Sequence, residues 1–378
     1  MSQIELVRDD SRLTEVVEHL LRTPRVAVDI ESNGFFRYHE RVCLVQLASA
    51  ETAFLVDPLL IDNVRPLGGL LGDRSVEKVF HAADYDLRSF DRDWGFRINN
   101  VFDTKIAAEF VGAERVGLQA VVEEYAGVVL AKSPKLQRSD WTMRPLKPEK
   151  LQYAANDVLH LIRVRKAISA RLKKLSRYAW VQEEFARLES VKHTAPDREA
   201  AFLSVKGSRD LDGKGLAVLR SLFKFREREA RRRDRPTFKV IPDFALITLS
   251  SAPSIDLSRV KGLGWYGRHP GSRGLKDAIR KGLRSKPVSL PLRRRSEEIS
   301  NLENKELFKT RLSILKAWRS QLGNELRLNP GLLWPTKSLE RLARNPCNLE
   351  LEATSAEVRD WQKLQFGANL RHSLEKLS

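Results

Sequence analysis

Four short apolar runs, VAVDI (26–30), RVCLVQLA (41–48), TAFLV (52–56) and KVFHA (78–82), crowd into the first 82 residues. Beyond about residue 195 almost no strand signal follows. Short runs rich in Val, Phe and Leu read as buried strands. Helical spacing occupies 11–22, 84–94, 103–112, 117–126 and 148–175. The first three strands follow one another closely, which fits antiparallel hairpins, and the later alternation of strand and helix fits an α/β layer. The expectation is a mixed sheet flanked by helices up to about residue 195, then an all-helical remainder.

That remainder repeats itself. HTAPDRE (193–199) reads as one linker and RSKPVSLPLRRRSEE (284–298) as a second. Leu219, Leu222, Phe225, Arg226, Pro242, Leu246, Leu249 and Pro253 recur 93 residues later as Leu312, Leu315, Trp318, Arg319, Pro335, Leu339, Leu342 and Pro346. Apolar residues at helical spacing, with prolines keeping the same register, indicate a duplicated small helical domain. The expected division is 1–195, 208–288 and 299–378.

Charge separates the same segments. The net charge is +18, yet residues 1–197 carry 29 Lys and Arg against 29 Asp and Glu, whereas 198–378 carry 38 against 20. Within the first part, residues 1–131 are acidic (14 basic, 22 acidic) and 132–177 strongly basic (13 basic, 3 acidic). An acidic patch beside a basic one fits a metal-dependent enzyme acting on a polyanion; solvated helix faces are the plainer alternative. MSQIELVRDDSR lacks an apolar leader core, and no apolar run approaches the ~20 residues of a membrane span. Cys43 and Cys347 are the only cysteines, which argues against a disulfide framework or a zinc site. A cytoplasmic protein with no membrane partner is expected.

The residues that carry chemistry begin in VAVDIESN. Asp29 and Glu31 are two apart, so on a strand both carboxylates face one side and repel. A divalent cation between them would turn that repulsion into attraction; two exposed acids at a strand exit are the alternative. VFHAADYDLRSF (79–90) adds Asp84 and Asp86 at a strand-to-helix junction, and LQYAANDVLHL (151–161) adds Tyr153 and Asp157 on one helix face. A Tyr one turn before a metal-ligating Asp can hold and help deprotonate a water; otherwise Tyr153 is a core aromatic and Asp157 a surface acid.

Taken together, DIE, HAADYDL and YAAND, with the flanking QRSDWTMRPLKPEKLQYAANDVLHL, resemble the three exonuclease motifs of the ribonuclease D family. That family lies in the Tyr-containing branch of the DEDD 3′→5′ exonucleases. RSLFKFREREARRRDRPTFKVIPDFALITL resembles the helicase-and-RNase-D C-terminal (HRDC) domain, and its duplicate resembles a more divergent copy lacking the Arg run. The resemblance implies an α/β, ribonuclease-H-like (DnaQ-like) exonuclease domain with a mixed sheet, followed by two all-α HRDC-like domains.

It also implies two divalent cations, Mg²⁺ or Mn²⁺, held by Asp29, Glu31, Asp86 and Asp157, with Tyr153 positioning the attacking water. Asp29 would bridge the ions, Glu31 and Asp157 would hold the water-side ion, and Asp86 would serve the leaving-group side. Asp86 rather than Asp84 matches the motif. The expected reaction is release of nucleoside 5′-monophosphates from RNA 3′ ends, tRNA precursors among them, by a monomer without a small-molecule cofactor. A DNA 3′ exonuclease and an inactive RNA-binding adaptor are the competing readings. Phe35 and Phe36 are candidates for stacking on the terminal base, or for a core or lid role. Lys132, Lys135, Arg138 and Arg144 are candidate phosphate contacts, as are Arg226, Arg228, Arg231, Arg232, Arg233 and Arg235 in the first repeat. His81, Asp140 and Trp141 read as structural, and Asp103 as a helix cap.

Overall fold

The computed structural model describes residues 3–50, 52–131, 133–195, 197, 199–289 and 302–375. The chain forms two compact units, one of residues 1–31, 42–193 and 298–378, the other of residues 32–41 and 194–297.

The first unit is built on a six-stranded sheet. In chain order its elements are β1 (Gln3–Val7), α1 (Asp10–Leu21), β2 (Arg25–Ser32), β3 (Val42–Ala48), β4 (Thr52–Val56), α2 (Arg65–Gly72), β5 (Glu77–Phe80), α3 (Asp84–Trp94) and β6 (Val101–Asp103). Helices α4 (Thr104–Phe110), α5 (Leu118–Ala126), α6 (Pro134–Gln137), α7 (Pro148–Leu159), α8 (Leu161–Lys174) and α9 (Tyr178–Glu189) follow. The strand order is β1-β4-β3-β2-β5-β6; β3 and β4 are antiparallel, and β1 with β4, β2 with β5 and β5 with β6 are parallel. The sheet is therefore mixed, as expected.

Alternation along β2 divides the layers. Val26, Val28 and Ile30 pack with Leu13, Val16 and Leu20 of α1 and Phe90 of α3, whereas Ala27 packs with Ala154, Ala155 and Val158 of α7. By the period of two, Asp29 and Glu31 share the face of Ala27, under α7. Apolar burial drives both layers, and the two acids sit where the α7 layer opens.

Three elements escape the sequence pattern. β1 is an edge strand with one fully buried residue, Val7, and β6 is three residues long, so neither offers a period to read. α2 carries three glycines in RPLGGLLG, poor helix formers, and is held by burial of Leu67, Leu70 and Leu71. The helix expected over 148–175 is interrupted at His160, while buried positions continue on both sides.

The C-terminal helices α10 (Leu302–Leu326), α11 (Pro330–Leu333), α12 (Thr336–Arg344), α13 (Leu349–Ala353) and α14 (Asp360–Glu375) complete this unit. Trp361 of α14 stacks on Trp180 of α9, with ring centroids 4.9 Å apart, and Arg359 pairs with Glu184 at 2.9 Å. Arg177 donates to the carbonyls of Phe110 and Leu326.

The second unit contains helices αA (Gly213–Arg232), αB (Thr237–Val240), αC (Asp243–Ser251) and αD (Ser272–Arg284). Shifted by 93 residues, αB and αC coincide with α11 and α12. Two hydrogen bonds repeat with them. Arg226 donates to the carbonyl of Ile241 and to Asp243, and Arg319 donates to the carbonyl of Trp334 and to Thr336, each partner displaced by the same 93 residues. Residues 32–41 pack in the second unit, where Tyr38 donates from its hydroxyl to Glu227 and from its backbone N–H to Asp234.

Candidate active site

β2 delivers Asp29 and Glu31 to one end of the α7 face, and α7 delivers Tyr153 and Asp157 one turn apart. These four side chains line a cleft of about 430 Å³, closed on its other side by Leu118, Gln119, Ser133, Pro134 and Gln137. Asp86, in the first turn of α3, is buried and acts on the same carboxylates through space. Asp84 is not part of this group; it forms a two-bonded i, i+4 pair with Arg88.

The electrostatics tie the group together. Burial raises Asp29 to about 7. Burial, then the charge of Asp29, raises Asp157 to about 8, against a hydrogen bond from Tyr153 that lowers it. Glu31 is pushed well above the usual carboxylate range by burial and by Asp29, Asp157 and Asp86, with Lys150 opposing. Asp86 is likewise raised, by burial, Asp29 and Asp103. Burial and the neighbouring acids raise Tyr153, so its hydroxyl keeps its proton. Four neighbouring carboxylates outweigh the one opposing cation, Lys150, and an all-oxygen donor set suits a hard divalent cation. Among the described residues, no three acidic, His or Cys side chains already close around a common metal position. What the fold supplies is the gathering of the acids and their mutual repulsion.

The turn entering α3 is held by Asp103. Ala82 has a left-handed backbone (φ 65°), unusual for a residue with a Cβ. The Asp103 carboxylate accepts from Ala82 N–H and Ala83 N–H at 3.1 and 2.8 Å, and from Lys105 and Ile106 N–H as the α4 cap. The expected cap is there, and its second duty, fixing the turn two residues before α3 gains Asp86, has no sequence signature. His81 lines the cleft with Nδ1 2.9 Å from Thr104 Oγ1, and burial lowers it to about 4, so it is neutral. Trp141 is fully buried beside Tyr153, and Lys150 donates to the Asp140 carbonyl.

Other candidates fall elsewhere. Arg144 is a tether rather than a free phosphate contact: it clasps buried Asp57 and donates to the carbonyls of Cys43, Trp141 and Met143. Arg226 is likewise a tether rather than a free phosphate contact, being 4% exposed and bonded to the Ile241 carbonyl and to Asp243. Arg232 and Arg233 pair with Glu229, Arg233 also lying over Trp265 and Tyr266, and Arg231 lies over Tyr38. Arg138 is exposed beyond α6. Phe35 is half exposed, 5.4 Å from Phe238, and Lys239 lies over both Phe35 and Phe36. Lys132 lies outside the described residues. The far wall of the cleft, Gln119 and Gln137 included, was missed because single polar residues on α5 and α6 carry no pattern.

A family profile described as 3′-5′ exonuclease matches residues 4–173. The ribonuclease D of Gluconacetobacter diazotrophicus is 31% identical over 368 residues, covering 96% of this chain and 90% of that protein. That of Pseudomonas paraeruginosa is 30% identical over 377 residues, covering 99% and 98%. Among solved structures, Escherichia coli RNase D, described as an exoribonuclease involved in structured RNA processing, superposes with a TM-score of 0.71 at 22% identity, covering 100% of this chain and 99% of that one. The catalytic core of RRP6 from Trypanosoma brucei gives 0.63 at 25% identity, covering 75% and 79%. With likeness running nearly end to end in the first two relatives, the chain belongs to the ribonuclease D family of 3′→5′ exoribonucleases.

Proposed function

We propose that this chain shortens structured RNAs from their 3′ ends, tRNA precursors among them, releasing nucleoside 5′-monophosphates. In this reading Asp29, Glu31, Asp86 and Asp157 hold two divalent cations, Mg²⁺ or Mn²⁺. The observation that carries it is the convergence of Asp29, Glu31 and Asp157 on one cleft, with buried Asp86 acting on them through space. Bound divalent cations supply an activated water and neutralise charge on the phosphoryl oxygens.

The chain's own residues do the rest. Tyr153 remains protonated, so its hydroxyl orients the water beside Asp157 rather than abstracting its proton. Asp86, set in the first turn of α3, is favoured as an anion there by the helix N-terminus once a cation offsets its burial. Leu118, Gln119 and Gln137 form the wall against which a terminal nucleotide is placed. Residues 208–288 and 299–378 are taken as HRDC-like domains, and a cytoplasmic monomer is the working state; among the described residues no helix is long and apolar enough to cross a membrane.

Polarity and product test the reading together. A hairpin RNA with a 3′ single-stranded extension, labelled at one end or the other, should lose 3′ label first as 5′-mononucleotide in Mg²⁺ or Mn²⁺. Internal cuts, or 5′ label released first, would overturn it.

A further inference from the structure

We propose that the groove between αA and αD in the second unit binds the phosphate backbone of single-stranded RNA, through Arg220, Lys224 and Arg228 on one wall and Lys281 and Arg284 on the other. This deepens the reading of the chain as an RNA exonuclease and rests on it. Arg220, Lys224 and Arg228 follow at i, i+4 and i+8, so they form one ridge with successive charges about 6 Å apart along the axis. Lys281 and Arg284 stand three apart on αD. The space between the helices is about 370 Å³, and Arg284 continues the αD wall into an adjoining basic hollow.

The walls are set by close helix packing. A Cβ on Gly274 would meet the Phe225 ring at 2.9 Å, a Cβ on Gly282 would meet the Val218 backbone at 2.5 Å, and Ser221 donates across the interface to the Ala278 carbonyl. The groove is thus shaped before a ligand arrives, which reduces the ordering cost of binding.

Charge availability selects this groove over the arginine run further along αA. Arg232 and Arg233 are paired with Glu229, and Arg226 with Asp243. Among the described residues, Arg220, Arg228, Lys281 and Arg284 have no carboxylate partner, and Lys224 has only an exposed one, Glu199. The single acid of the groove, Asp277, is taken by Arg280. Phe225, the aromatic at the floor, is buried, so there is no platform for stacking a base. Cations without a base-reading surface recognise backbone, and binding should be indifferent to sequence.

The test uses the full chain in EDTA, with a 5′-labelled oligouridylate as probe and anisotropy as readout. The Arg220→Gln/Lys224→Gln/Arg228→Gln variant should bind about 10- to 100-fold more weakly at low salt, and its log–log salt slope should fall by about 2, near 0.7 per lost contact. Lys281→Gln/Arg284→Gln should weaken binding without altering αA. A Lys206→Gln/Arg209→Gln/Lys214→Gln control, removing three charges from the same unit, should stay within about twofold of wild type. Unchanged affinity in both groove variants, or an equal loss in the control, overturns the proposal. Hydrolysis of a dinucleotide, too short to span the groove, should be unchanged in the groove variants. Failure of the wild type to cleave it would instead count against the exonuclease reading, leaving the binding result to judge the groove.

Discussion

At the scale of single residues, the cleft holds acids whose mutual repulsion a bound cation would relieve. Asp29 at about 7 and Asp157 at about 8 lie far above their ordinary 3.8, so the metal-free folded protein holds protons more tightly than the unfolded chain. The sign follows: the contribution of these acids to stability is full below about pH 4 and is lost as pH rises through about 8. A divalent cation held by these acids would bind their deprotonated forms, so its effect would run the other way. The melting-temperature rise produced by saturating Mn²⁺ should therefore be larger at pH 8.5 than at pH 6; a rise independent of pH contradicts this. Tyr153→Phe removes a hydroxyl and no charge. It should lower kcat by about 10²-fold or more while Mn²⁺ affinity, read by calorimetry, stays put; a parallel loss of Mn²⁺ binding would assign Tyr153 a different role. Strand alternation made the shared face of Asp29 and Glu31 legible in sequence. Nothing comparable marked Arg144 or Arg226, whose partners Asp57 and Asp243 are fixed by the fold, not by spacing along one element.

At the scale of elements, junctions decide whether the acids meet. Asp103 accepts four backbone N–H groups and is 1% exposed, so it both caps α4 and pins the left-handed Ala82 turn ahead of Asp86. Asp103→Ala leaves those donors unsatisfied and should cost about 2–3 kcal/mol in denaturant melts. It should also reduce turnover in the fraction that remains folded. Loss of stability with full turnover would separate the turn from the site. The helical repeat was readable because leucines and prolines keep a 93-residue register, and the recurring Arg226 and Arg319 bonds show why an arginine shares it. β1, α2 and β6 were not readable, since an edge strand, a glycine-rich helix and a three-residue strand each depend on neighbours for their shape.

At the scale of the whole molecule, the sequence anticipates the change from sheet to helix near residue 195 but not how the last helices are held. Residues 298–378 belong to the same compact unit as the sheet, joined through Trp180 and Trp361 and through Arg359 and Glu184. No apolar pattern announces a contact between residues so distant in sequence. Trp361→Ala should destabilise that unit by about 3–5 kcal/mol, seen as a lower denaturation midpoint; an unchanged midpoint would show the helices to be energetically separate. The excess of positive charge in residues 198–378 suits a polyanionic substrate. The most direct test of that account is the rate of mononucleotide release from a 3′-extended RNA in Mg²⁺ or Mn²⁺, wild type against Asp29→Asn. The predicted result is stepwise release of 5′-mononucleotides by wild type and a rate lower by at least about 10²–10³-fold in a variant that still folds. Equal rates in the two proteins would contradict the carboxylate site outright.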